Sequence, residues 1–329
     1  MRRDQLRNEI FTIPDENTFV AKALEVFRYQ YEENTIYRKF VDGFKSNIDA
    51  VDTIEKIPFL PVELFKTHEI KTGNFSEQKI FTSSGTTSSQ SSSHFVRDVK
   101  IYEEAFIKSF ETFYGNPGEY VFLALLPSYL ERSGSSLIFM MEELIKLSGD
   151  KRSGFFLDEF GQLFEVLTKL MEEKRKTILI GVTYALIDFV EAFQINFSEL
   201  IVMETGGMKG KRKEMIRAEV HELIKPRFGV EKIHSEYGMT ELLSQSYSFG
   251  NGIFKTPPWM RVLCREMYDP LQYCNFGATG GLNIVDLANI DSCSFVSTQD
   301  LGKVYANHSF EIIGRFDDSD IRGCNLMVE

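Results

Sequence analysis

Apolar residues recur along this chain in two rhythms, and the points where the rhythm changes mark its elements. Between Phe19 and Phe44 the apolar positions Val20, Ala23, Leu24, Phe27 and Tyr31 follow helical spacing, which predicts one or two amphipathic helices. The run Ile57-Pro58-Phe59-Leu60-Pro61-Val62 is apolar but broken by prolines, which predicts an ordered loop and not a strand. From there strands and helices alternate. A strand near Ile80 precedes a helix from about Val99 to Tyr114, and the run Tyr120 to Leu126 precedes a helix from Ser135 to Leu147. A short strand at Phe155-Phe156 leads to a helix from Phe160 to Glu173 and then to the strand Thr177 to Val182. Leu200-Ile201-Val202-Met203 passes through Gly206-Gly207 into a helix from Lys211 to Lys225. This succession predicts an α/β fold with mostly parallel sheets flanked by helices. After Gly250 the pattern becomes strand-like and glycine-rich, which predicts a small β-rich subdomain. The expected division is an N-terminal helical segment over 1–55, an α/β core over 56–250, the β-rich part over 251–313 and a short tail over 314–329.

Composition narrows the class. A chain of 329 residues can bury one large core or two subdomains. The longest apolar run, Thr177 to Val190, is interrupted by Gly181, Thr183, Tyr184 and Asp188, so no membrane span is expected. The first nine residues lack the apolar stretch of a signal peptide, and a cytoplasmic protein is expected. A net charge of −11 disfavours nucleic acid as a partner. The four cysteines, Cys264, Cys274, Cys293 and Cys324, lie in the last fifth of the chain without a Cys-x-x-Cys pair. Neither a zinc site nor a disulfide scaffold is expected.

Candidate chemistry begins at Thr82-Ser83-Ser84-Gly85-Thr86-Thr87-Ser88, which packs six hydroxyl side chains and one glycine into seven residues. A loop of this kind leaving a strand can turn backbone N–H groups and hydroxyls towards phosphate oxygens, with Gly85 permitting close approach. It lacks the Gly-Lys-Ser/Thr ending of a P-loop. A flexible Ser-rich linker has the same composition, so the loop alone leaves both readings open. A second segment, Tyr237-Gly238-Met239-Thr240-Glu241, adds an aromatic ring, a hydroxyl and a carboxylate. Singly, Tyr237 reads as a core aromatic, Glu241 as a solvated residue of a first helical turn, and Asp300 as a turn residue before Gly302.

Together with three further segments these residues resemble the adenylate-forming superfamily of acyl- and aryl-CoA synthetases, luciferases and adenylation domains. The further segments are Thr205-Gly206-Gly207-Met208, Ser297-Thr298-Gln299-Asp300-Leu301-Gly302 and Gly314-Arg315-Phe316-Asp317-Asp318, all in the family's order. The resemblance implies activation of a carboxylic acid as acyl-adenylate from ATP with Mg2+. Ser83, Ser84, Gly85, Thr86, Thr87 and Ser88 would hold phosphates, with Thr240 also on phosphate and Glu241 on the metal. Tyr237 would stack on adenine beside Gly206, Gly207 and Met208, with Gly238 and Met239 completing the nucleotide-binding turn. Asp300 would take the ribose hydroxyls, and Arg315 would add a cationic clamp.

The chain departs from the commonest pattern in two places. Thr87 is followed by Ser88-Ser89-Gln90-Ser91-Ser92-Ser93-His94, with no lysine nearby. Only twelve residues follow Asp317, so the lysine-bearing C-terminal small domain is expected to be essentially missing. These departures, with Phe59 to Lys66, Leu126 to Arg132 and Ile321 to Leu326, resemble the acyl-protein synthetase (LuxE) family. That resemblance implies that a fatty acid is activated, passed to Cys324, and handed on to a reductase-type partner. Cys324, Thr240 and Arg315 are then the candidate catalytic residues, and Tyr129, Arg132 and Ser133 the candidate substrate-binding ones. An acid–CoA ligase of phenylacetate type and a non-catalytic scaffold remain the alternatives, and homo-oligomerisation is left open.

Overall fold

The computed structural model describes residues 2–44, 47–83, 91–127, 134–157, 159–206 and 215–316. The chain divides into two compact units, one made of 1–77 with 258–329 and the other of 78–257.

In the unit formed by 78–257, the strands Gly154–Phe155, Val121–Leu125, Thr177–Val182, Ile201–Thr205 and His234–Tyr237 lie side by side in that order, all parallel. Ser246–Ser248 and Ile253–Lys255 then continue the sheet antiparallel. Val121–Leu125 and Thr177–Val182 are buried at every position. Their unbroken apolar runs follow from helices covering both faces. The helices Val99–Tyr114 and Ser136–Ser148 cover one face, where Phe110 meets Phe122 with ring centroids 5.4 Å apart. A cavity of about 10 Å³ in this layer is lined by Phe110, Met140, Met203 and Tyr247 among others. It is too small to receive an acyl chain. The helices Phe160–Glu172, Thr183–Ala192 and Arg217–Phe228 belong together: Phe160 packs edge-on against Phe189, and Phe189 stacks on Phe228 at 5.8 Å.

A separate hairpin pairs Lys79–Thr82 with Ser93–Val96. Its base is fixed by Phe81, which meets Tyr102 and Phe139 at 5.2 and 5.7 Å. The hairpin therefore stands on a buried aromatic footing.

The other unit joins the two ends of the chain. The expected helical region is two helices, Glu16–Glu33 and Thr35–Gly43, parted at Asn34. Asn34 leaves the helical conformation and accepts from the N–H of Tyr37, capping the second helix. These helices rest on an antiparallel sheet of Met260–Arg265, Thr279–Asp286, Phe295–Val304 and Phe310–Arg315. Phe27, Tyr37 and Phe59 converge on Phe295 with centroids 6.0 to 6.2 Å away. Buried Gln30 accepts from the N–H of Ser294 and donates to the carbonyls of Asn289 and Ile290.

Two local expectations change. Leu60–Pro61 is a strand after all, paired parallel with Val296–Ser297. Phe310–Arg315 pairs only with 300–304 of that long strand, which leaves its first half an open edge that Leu60–Pro61 takes. A proline is tolerated in such an edge position. The helix expected from Lys211 to Lys225 is Arg217–Phe228; residues 211–214 lie outside the described residues.

Candidate active site

The hairpin brings Ser83 and Ser92 together where the hydroxyl-rich loop leaves and returns. The N–H of Ser92 donates to Ser83 Oγ at 3.0 Å, and the two hydroxyl oxygens are 2.9 Å apart. Ser92 Oγ in turn hydrogen-bonds Glu241 Oε1, a carboxylate buried to 6 % exposure. Two residues further along, in the strand Ser93–Val96 that Ser92 leads into, His94 hydrogen-bonds the carbonyl oxygen of Thr240 through Nδ1 at 2.8 Å. Ser92 and His94, on the returning arm of the hairpin, thus fasten Glu241 and Thr240. Glu241 offers a hard oxygen ligand. Among the described residues no cluster of three acidic, His or Cys groups could hold a metal ion. A magnesium ion here would take Glu241 and complete its shell with phosphate oxygens and water, which suits that ion.

The strands Ile201–Thr205 and His234–Tyr237 run parallel with Glu204 opposite Ser235 and Thr205 opposite Glu236. Their carboxyl ends therefore present paired groups on each face. On one face Thr205 Oγ1 donates to buried Glu236 Oε2 at 2.5 Å. On the other, Glu204 accepts from Arg217 Nε at 2.7 Å, Ser235 Oγ at 2.9 Å and Thr183 Oγ1 at 3.1 Å, with His221 Nε2 at 3.4 Å. Burial opposes ionisation of Glu204, yet His221 and Arg217 outweigh it and draw the carboxyl down to about 2. The carboxylate stands between Ser235 and His221, so the imidazole does not face the serine hydroxyl and the three do not form a nucleophile triad.

Gly206 leaves the strand at φ +64, a left-handed turn that glycine takes without strain. Thr183 Oγ1 also lies 3.4 Å from the Gly206 carbonyl. Tyr237 is buried to 9 % exposure, with its hydroxyl 3.5 Å from Met239 Sδ. At Gly238 a Cβ would lie 2.7 Å from Glu236 Oε1, so a side chain there would displace that carboxylate.

In the unit formed by the chain ends, Asp300 and Arg315 face each other across adjacent strands, Oδ1 to Nε 3.3 Å. Asp300 is largely buried and Arg315 exposed. Thr298 Oγ1 accepts from the N–H of Asp300 at 3.1 Å and donates to the Leu282 carbonyl. Beneath them Arg265 donates to the carbonyls of Thr298 and Leu282 and to Asn283 Oδ1, at 2.6 to 3.0 Å. Its guanidinium lies 5.6 Å from the centre of the Phe316 ring.

Within 78–257 the structure thus gathers Ser83 with Thr240 and Glu241, and sets Gly206 and Tyr237 at the ends of adjacent strands; within the other unit it pairs Asp300 with Arg315. Ser84, Gly85, Thr86, Thr87, Ser88, Gly207, Met208, Tyr129, Arg132, Ser133 and Cys324 lie outside the described residues. Sequence reading missed Ser92, His94, Glu204, Arg217, Glu236 and Arg265. One signal existed: Glu204 ends an apolar run where a charge has no local reason to be. Among the described residues no helix is long and apolar enough to cross a membrane.

Residues 12–107 match the family described as acyl-protein synthetase, LuxE. No curated protein sequence matches the chain. Among solved structures, 2-hydroxyisobutyryl-CoA ligase in complex with 2-HIB-AMP and CoA aligns at 13% identity and TM-score 0.64, covering 92% of this chain and 70% of that one. ATP-bound MatB from Rhodopseudomonas palustris aligns at 14% identity and TM-score 0.54, covering 84% of this chain and 52% of that one. The chain therefore spans about half the length of MatB. The resemblance read from the motifs thus has a counterpart in both comparisons: residues 12–107 match the LuxE acyl-protein synthetase family, and the chain shares the fold of 2-hydroxyisobutyryl-CoA ligase and MatB.

Proposed function

We propose that this protein activates a carboxylic acid by adenylation. A carboxylate oxygen of the acid attacks the α-phosphorus of ATP, the bond from that phosphorus to the bridging oxygen breaks, and pyrophosphate leaves. The observation that carries this reading is the fastening of the hairpin residues Ser83, Ser92 and His94 to Thr240 and Glu241 of the Tyr-Gly-Met-Thr-Glu segment. Both reactants are anions, and such a reaction is favoured chiefly by charge neutralisation and alignment. The hydroxyls and N–H groups of residues 83–88 would hold phosphate oxygens, and Tyr237 the base. Magnesium, held by Glu241, would supply charge neutralisation at the phosphates.

The second half of the proposal is acyl transfer to Cys324. The thiol loses its proton, sulfur attacks the acyl carbonyl, and AMP departs to leave a thioester, which a reductase-type partner then takes over. The other cysteines are poor acceptors: burial pushes the Cys264 and Cys293 thiols up to about 12 and raises Cys274 as well. The thiolate is the nucleophile, so these three react weakly near neutrality. A fatty acid is the substrate expected from the LuxE match. A CoA acceptor is the second reading, favoured by the fold shared with a CoA ligase.

The test is ATP–pyrophosphate exchange across a panel of fatty, aryl and hydroxy acids. Exchange should require magnesium, and Glu241→Gln should reduce it at least tenfold, roughly the effect of weakening one metal site. Thr86→Val should reduce it as well. If no acid supports exchange and calorimetry detects no ATP binding, the protein is a scaffold and not an enzyme.

A further inference from the structure

Arg217 opens the helix Arg217–Phe228, where a cation is opposed by the partial positive charge of the helix end. Residues that break a local rule inside a well-ordered fold tend to serve a site. The surroundings of Arg217 show what holds it there. Its Nε donates to the ionised carboxylate of Glu204 at 2.7 Å. Glu204 itself is pinned by Ser235 from the next strand and by Thr183 from the helix Thr183–Ala192. The guanidinium then lies over the ring of Phe254, 5.1 Å from its centre. Phe254 is fully buried and meets Tyr237 edge-on, centroids 6.0 Å apart at 64°. Gly252, at φ +68, turns the chain so that the strand bearing Phe254 follows, and a Cβ there would lie 3.5 Å from Arg217 Cδ.

A continuous contact therefore runs from Glu204 through Arg217 and Phe254 to Tyr237, all within one compact unit. We propose that Arg217, fixed by Glu204, is a positioning residue for the nucleotide base: it holds Phe254, and through it the ring of Tyr237, at the angle that receives adenine. This rests on the adenylation reading and assigns the regulation of base affinity to a residue that does not touch the base. A flat guanidinium can lie on an aromatic face while its Nε reaches a carboxylate; a lysine ammonium cannot do both. Phosphate binding depends on the hairpin and Glu241 and is independent of this contact.

The experiment uses Arg217→Met and Arg217→Lys, both at a partly exposed helix start. Calorimetry measures ATP and inorganic tripolyphosphate, which lacks the base, and exchange kinetics separates KM for ATP from kcat. Arg217→Met should raise the Kd and KM for ATP about tenfold, the scale of one partly desolvated cation–π contact, and Arg217→Lys should fail to restore them. Tripolyphosphate affinity and kcat should stay within about twofold of wild type. Equal losses for ATP and tripolyphosphate would mean general loosening and would overturn the proposal, as would unchanged ATP affinity in Arg217→Met. If wild-type protein neither binds ATP nor exchanges pyrophosphate with any acid, the adenylation reading falls and takes this inference with it.

Discussion

His94 is tied to Thr240 by a hydrogen bond of 2.8 Å from its Nδ1 to the backbone carbonyl. A carbonyl only accepts, so Nδ1 carries the proton and the tautomer is set by this bond. The imidazole is buried to 1 % exposure, and losing the bond leaves the part-buried Thr240 carbonyl without that donor. His94→Ala should raise KM for ATP about fivefold, the worth of roughly 1 kcal/mol for one hydrogen bond. His94→Asn places an amide N–H where Nδ1 stands and should remain within about twofold of wild type. Asn and Ala variants impaired alike would show that the hydrogen bond is not what matters.

Cys324→Ser should keep acid-dependent pyrophosphate exchange and lose the hydroxylamine-labile acyl label that wild-type protein gains from its acid and ATP. A serine ester resists neutral hydroxylamine, whereas a thioester does not, so the label separates the two. Equal labelling of both proteins would remove Cys324 as acceptor. An acyl-CoA product formed on adding CoA to either protein would then establish the CoA-ligase reading.

Glu204 should give the fold a measurable acid limit. Its carboxyl is drawn from the ordinary 4.5 to about 2, burial being overcome by His221 and Arg217. Below about 4.5 the unfolded chain binds a proton that the folded one refuses, so stability falls as pH drops through that window towards 2. The contribution is present in full above pH 4.5 and amounts to on the order of 3 kcal/mol. Glu204→Gln is less stable at pH 7, and its unfolding free energy should fall less steeply between pH 5 and about 2.5. Urea unfolding of both proteins at several pH values checks this; parallel pH profiles would contradict it.

The parts of this molecule that sequence made legible share a physical reason. The strands Val121–Leu125 and Thr177–Val182 are buried on both faces, so their apolar runs announce themselves without knowledge of any partner. Thr240, Glu241, Asp300 and Arg315 stand inside short ordered words, and word order needs no geometry. Leu60–Pro61 failed that test, because its strand character comes wholly from an edge left open far along the chain at Val296–Ser297. His94, Arg217 and Phe254 are likewise defined by what they touch. A histidine ending a serine run, an arginine opening an ordinary helix and a phenylalanine in a short strand carry no periodic signal of their own. Only the fold brings His94 to Thr240 or stacks Arg217 on Phe254.

The joining of both chain ends in one unit has a consequence for biosynthesis. Residues 78–257 hold a complete parallel core and leave the ribosome before the sheet Met260–Arg265 to Phe310–Arg315 exists. Until that sheet arrives, Phe27 and Tyr37 lack the Phe295 ring they pack against, Gln30 lacks Ser294, and Arg3 lacks the Asp291 carboxylate it grips with two nitrogens. The nascent amino-terminal segment is thus an apolar surface in waiting while the middle of the chain folds. Contacts of such long sequence separation are slow to close and leave intermediates open to aggregation. Chaperone capture during synthesis should therefore concentrate on the first seventy-seven residues and end when the strand Phe310–Arg315 is released.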